Sequence, residues 1–265
     1  MNNPKIYLIN TFAIALLLTA VSCVASDQED LAPIDKSIPS EEISGMIGLM
    51  EEVDLMVMST MQQNLSQQRL LPLLDAISCP GTLITRDDKN GQIKIDFGNG
   101  CVSDRGIERI GNLTINYSGG ILNKGSLLTI DFEKFSLNGY KMNGQRKLEN
   151  LGYDVDTKTL TFSSNMKNFK VVSLNGQEFI LDHNYIRELA LSTASDGFRI
   201  YLKGSGTLSA ENYSKTTFEI VQPFKYIQEC IESGLYDPIE GSLQISSNTD
   251  QNTIVSFESI ACSLL

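Results

Sequence analysis

The chain has no tryptophan and a single histidine, and both scarcities narrow its chemistry. A Ser-His-Asp triad needs an imidazole within hydrogen-bond reach of the hydroxyl, so any such triad must use His183. No Gly-x-Ser-x-Gly motif accompanies it, and between Asp182 and Asn184 it reads as part of a turn between strands. Without tryptophan platforms, a sugar-binding surface would have to rely on the nine tyrosines. The five cysteines include no Cys-x-x-Cys pair, and Cys79, Cys101, Cys230 and Cys262 are too widely spaced to suggest a zinc site. Asp87-Asp88-Lys89-Asn90-Gly91 opens like a calcium loop but lacks the downstream glutamate, so it reads as a plain turn. Gly204-Ser205-Gly206 lies between strands and not ahead of a helix, which disfavours a phosphate-cradling loop. No cofactor is implied. Basic residues are also short, 21 against 32 acidic ones, and a formal charge of −11 makes nucleic acid an improbable partner.

What is present begins with an export signal over residues 1–22: Lys5, then an apolar run from Ile6 to Val21 interrupted by Asn10 and Thr11. That run is too short and too broken for a membrane span. It ends in Ala20-Val21-Ser22-Cys23, which resembles a bacterial lipobox with alanine where leucine is usual. Lipidation of Cys23 would account for the odd cysteine; simple cleavage that leaves a free thiol is the other reading. Residues 23–39 read as an acidic flexible tether. Within it, Ser26-Asp27-Gln28-Glu29-Asp30 looks like the acidic signal that sends lipoproteins of the Bacteroidota to the outer face of the outer membrane.

Residues 40–78 read as a helical segment. Ser40 with Glu41 and Glu42 suits a helix N-terminus. Ile43, Met46, Ile47, Met50, Val53, Val57, Met61 and Leu65 then form one apolar stripe, weakened at Gly45 and Gly48. Gln67 to Ile77 is a second helical stretch. A helix packed on a sheet is the expected outcome, and a pliable Met-lined surface is the alternative.

Residues 79–265 read as β-rich, as one domain or two, with no further helix. In Cys79 to Cys101 the alternation of Ile93, Ile95 and Phe97 with Lys94 and Asp96 marks a half-buried strand. A turn around residue 90 would set Cys79 opposite Cys101 as a disulfide at the open end of the hairpin. Cys230 and Cys262 repeat the plan less symmetrically, with the segment from Glu232 to Pro238 as an excursion that takes up slack. Asn138-Gly139 and Asn175-Gly176 are hairpin turns. The expected fold is mainly β, an antiparallel β-sandwich or an extended meander of hairpins with an N-terminal helical segment.

Ile93-Lys94-Ile95-Asp96-Phe97-Gly98-Asn99-Gly100-Cys101, Leu128-Thr129-Ile130-Asp131-Phe132 and Leu137-Asn138-Gly139 with Gly144-Gln145-Arg146 resemble uncharacterised exported lipoproteins of the Bacteroidota. That resemblance implies a β-rich envelope protein and no known activity. The functional expectation is a non-catalytic, lipid-anchored cell-envelope protein held at the outer membrane through Cys23. Its role is structural or in binding an envelope protein or glycan. Alternatives are a carbohydrate-active hydrolase with paired carboxylates and a carrier of an apolar ligand in a β-lined cavity.

Overall fold

Period-two alternation runs through the chain beyond Cys79, and in the computed structural model it becomes one antiparallel sheet. Residues 36–62, 79–191, 197–247, 252–258 and 262 are described, within a unit spanning Ile34–Leu265. Residues 1–35, with the expected export signal, Cys23 and most of the expected tether, lie outside them, as do Leu65 and the stretch Gln67 to Ile77.

Helix α1 (Ser40–Gln62) comes first, followed by β1 (Leu83–Asp87), β2 (Gln92–Asp96), β3 (Cys101–Val102), β4 (Glu108–Tyr117), β5 (Leu127–Leu137) and β6 (Tyr140–Asp154). Then come β7 (Thr159–Val172), β8 (Glu178–Ala190), β9 (Arg199–Ala210), β10 (Thr216–Ile227), the short helix α2 (Gln228–Glu232), β11 (Glu240–Ser247) and β12 (Asn252–Phe257). Each strand pairs with its neighbour in sequence, except that β2 pairs with β4 and β3 joins β4 off the main path. The order begins at β1 and ends at β12, so the meander alternative describes the fold and the sandwich does not.

Asn138 and Gly139 link β5 to β6 with φ of 49° and 81°, the paired positive values that a tight hairpin with right-handed twist requires. Four strands, β7 to β10, each join two runs of alternation that read as separate strands in the sequence. Thr159 to Phe162 and Phe169 to Leu174 merge into β7, and Glu178 to Leu181 and Tyr185 to Leu191 merge into β8. Register shifts between Met166 and Phe169 and between Ile220 and Phe224 mark β-bulges in β7 and β10, whereas β8 pairs with β9 without a shift. A bulge bends its strand and increases the local twist. Repeated across neighbouring strands, including the shift between Phe132 and Phe135, the bulges curl the sheet. His183 is therefore not in a turn. It sits inside β8, paired with Met166 and Gly206, and is buried.

The curl encloses α1. Met46, Met50, Met56, Met58 and Met61 are all buried, so the Met-rich face is core and not an open surface. From Met50 to Gln62 every helical residue is buried, polar ones included. A helix lying on one flat sheet would keep a wet side; this one does not. Each fully buried methionine, valine or isoleucine contributes roughly 1.5–3 kcal/mol. Ser40 is the first helical residue and not its cap: the N–H groups of Glu42 and Ile43 donate to the Pro39 carbonyl at 3.2 and 3.3 Å. Gly48 has a packing reason, since a Cβ there would lie 3.1 Å from the Tyr236 carbonyl oxygen.

Both expected disulfides are formed. Cys79–Cys101 closes the β1–β2 hairpin with Cα atoms 5.6 Å apart, and Cys230–Cys262 ties α2 to the chain beyond β12 with Cα atoms 4.8 Å apart. Helix α2 was not expected from the sequence. It carries Cys230, and the turn and loop after it supply the expected excursion.

Candidate functional site

Two arrangements of polar side chains are candidates, one inside the curl and one outside. Inside, α1 presents Glu51, Glu52 and Asp54, and three strands of the sheet answer with Arg187 of β8, Arg109 of β4 and Arg146 of β6. All six residues are at most 3% exposed. Arg187 grips Glu51 with two nitrogens, at 2.5 and 3.2 Å. Arg109 donates to Glu52 at 2.7 Å. One oxygen of Asp54 lies 2.5 Å from both Arg146 and Arg187. Arg86 of β1 completes the set, donating to the Thr60 carbonyl at 3.0 Å, where the last turn of a helix favours positive charge.

With all three carboxylates ionised, they balance the three guanidiniums in charge. That balance makes their burial tolerable, because an unpaired ion in this setting costs several kcal/mol. Arg146 also lies 3.1 Å from Nε2 of His183, and the Ser164 hydroxyl lies 3.2 Å from the same atom. A guanidinium can only donate, so Nε2 accepts and the imidazole proton resides on Nδ1. Burial first, and then the charges of Arg146 and Arg187, hold His183 well below its ordinary range, so it is neutral. The ring stacks on Tyr185 at 4.0 Å. A neutral, shielded imidazole whose Nε2 faces a guanidinium is placed to orient Arg146, not to activate a nucleophile.

Glu52 gives the network a pH signature. Burial raises its carboxyl from 4.5 to about 7, against the lowering effect of Arg109. Between those values the folded chain holds a proton that the unfolded chain releases, so the stability from this group declines as pH rises through the window. Replacing Glu52 with Gln should remove that slope. Measured by urea denaturation at about pH 5 and about pH 7.5, wild type should lose up to about 3 kcal/mol relative to Glu52→Gln. His183 works in the opposite direction below about 6.5, where the unfolded chain takes up a proton that the folded one refuses, so the test compares the two proteins and not either alone.

The outer arrangement is a groove of about 580 Å³ on the convex face of β7 to β11. Registration across the ladder aligns Asn165, Asn184, Ser205, Glu219 and Gln244 in one row. A second row sets Asp182, Thr207, Thr217 and Ser246 side by side. β9 contributes the short residues Ser205, Gly206 and Thr207 to its lining. A Cβ at Gly204 would collide with the Asn184 carbonyl oxygen, and one at Gly206 would lie 2.5 Å from the Asp182 carbonyl oxygen. Gly204-Ser205-Gly206, which lacks the helix a phosphate loop needs, contributes Ser205 and Gly206 to this depression. The Asn165 amide donates to Asn184, and the Asn168 backbone N–H donates to Asp182 at 2.5 Å.

Among the described residues no group of acidic, histidine and cysteine side chains is arranged to hold a metal ion. Asp87 accepts from the backbone N–H groups of Lys89 and Asn90 at 3.1 and 3.2 Å, which makes its turn self-contained. Of the sequence-derived site residues, Cys79, Cys101, Cys230 and Cys262 are placed as two pairs, and Cys23 lies outside the described residues. No protein-family model matches the chain, and neither a curated protein nor a solved structure shows significant similarity to it.

Proposed function

We propose that the protein is a non-catalytic, lipid-anchored component of the bacterial cell envelope, tethered at the outer membrane through Cys23, with a binding role carried by its β body. The observation that carries this reading is the division of its polar groups. The clustered acids Glu51, Glu52 and Asp54 face arginines in the interior, whereas the accessible groove on β7 to β11 combines amides and hydroxyls with two lysines and two separated carboxylates, Asp182 and Glu219. A hydrolase with paired carboxylates needs two acids about 5–10 Å apart facing a substrate, and Asp182 and Glu219 of the groove stand two strands apart in different rows, roughly 12 Å between backbones. A carrier of an apolar ligand needs a cavity of several hundred Å³ inside the curl, where α1 lies. The resemblance to exported lipoproteins of the Bacteroidota, the lipobox-like Ala20-Val21-Ser22-Cys23 and the two disulfides support an extracytoplasmic setting. A net charge of −11 favours partners other than nucleic acid.

Anchoring is tested by metabolic labelling of cells with a palmitate analogue. Label should enter the wild-type chain and be absent from Cys23→Ala, which should move from the membrane to the soluble fraction. An unlabelled wild-type chain, or a Cys23→Ala variant that stays with the membrane, would sink the anchored reading.

A further inference from the structure

The groove carries its own information about what it would hold. Its two rows run across the strands, in the direction of the interstrand hydrogen bonds. Successive side chains in a row are therefore spaced by the strand separation of about 4.8 Å, and five strands span roughly 19 Å. That shape suits an extended chain and not a compact ligand. Ser205, Thr207, Thr217, Gln244 and Asn184 offer hydroxyls and amides, groups that both donate and accept. Lys167 and Lys215 are matched by Asp182 and Glu219, so the lining carries two charges of each sign. The surrounding chain is acidic, at −11, and repels polyanions. A ligand that presents closely spaced hydroxyls and no net charge fits all of these features.

We propose that this groove is the binding site for an uncharged glycan chain, laid across β7 to β11 and held by hydrogen bonds from Asn184, Ser205, Thr207, Thr217 and Gln244. This deepens the binding role proposed above and rests on it. The aromatic rings of the lining, His183 and Phe218, are buried, so binding energy comes from hydrogen bonds that replace those to water, each worth about 1 kcal/mol net. Affinity for a short oligosaccharide is accordingly weak, and tighter binding needs a polymer that engages the whole groove.

The test is native gel electrophoresis of the full, oxidised chain through gels cast with dextran, yeast mannan, a mixed-linkage β-glucan or heparin, since an acidic protein migrates readily. At least one neutral polysaccharide should retard the protein. Ser205→Tyr, which fills the floor from an exposed position, should weaken that retardation at least tenfold, whereas Thr85→Tyr on β1 should leave it unchanged. Thermal melts of both variants separate lost binding from lost folding. Migration unaffected by any neutral polymer, retardation by heparin alone, or undiminished retardation of Ser205→Tyr would each overturn the proposal. Palmitate labelling at Cys23 reads anchoring independently, so failure of the glycan site and failure of the anchored reading are distinguishable.

Discussion

Asp54→Ala should destabilise the protein severely. The Asp54 carboxylate is fully buried and one of its oxygens serves both Arg146 and Arg187 at 2.5 Å. Removing it leaves three positive charges opposite two negative ones in a site closed to water. Arg187 keeps its bidentate hold on Glu51; Arg146 keeps only the neutral His183. Breaking a buried pair from one side costs about 3–5 kcal/mol, a large share of the roughly 5–15 kcal/mol by which domains are stable. Arginine does not lose its proton in proteins, so neither guanidinium can escape by deprotonating. Urea denaturation should show the loss, and the comparison that isolates its cause is a matched apolar replacement. Glu52→Leu combined with Arg109→Met removes both members of the separate third pair and should cost far less than Glu52→Ala alone. If the two cost the same, uncompensated charge is not the cause.

The second large effect is expected from the disulfides. Cys79–Cys101 closes a loop of 22 residues and Cys230–Cys262 one of 32. In the chain-entropy model each stabilises the fold by about 3–4 kcal/mol. Their placement adds to this, because β1 and β12 are the edge strands and each has one neighbour only. Cys79→Ser with Cys101→Ser should lower the urea midpoint by an amount corresponding to about 3 kcal/mol. Reduction of both bonds in the wild type should cost about 7 kcal/mol if the two ends act independently. Hydrogen exchange should locate the damage in β1 and β2 for the first pair and in β11 and β12 for the second. Uniform loss of protection across the sheet would instead mean that the ends and the middle unfold together.

The ends of the sheet were legible before the structure because their signals are local. Ile93 and Ile95 alternate with Lys94, a turn cluster follows Asp87, and the two cysteines are equidistant from residue 90. The long strands were read as halves because a bulge shifts the alternation by one and mimics a loop, as at Lys167 and Asn168 in β7. The ion network was missed although its traces are present. In β8, Arg187 and His183 share odd numbering with Phe179, Leu181 and Leu189, all of which face inward. On α1, Asp54 stands four residues after Met50 and seven after Ile47, within the apolar stripe itself. A charged residue in an inward phase signals a buried partner, but its partners lie 92 and 133 positions away, and nothing local says which arginine meets which acid. The groove was illegible for the same reason: it needs register across five strands.

The placement of α1 ahead of the entire sheet bears on how the chain assembles. Synthesis delivers the helix first, and its last arginine partner, Arg187, follows Glu51 by 136 positions. During that interval a helix made only of methionine, valine and isoleucine would be prone to stick to other chains. Glu51, Glu52 and Asp54 give the waiting segment a solvated negative face, and each arriving hairpin then supplies a guanidinium that draws the ribbon around it. The same acids that make the finished interior intolerant of Asp54→Ala thus act beforehand as a solubility guard, an internal counterpart of the gatekeeper residues that flank sticky strands.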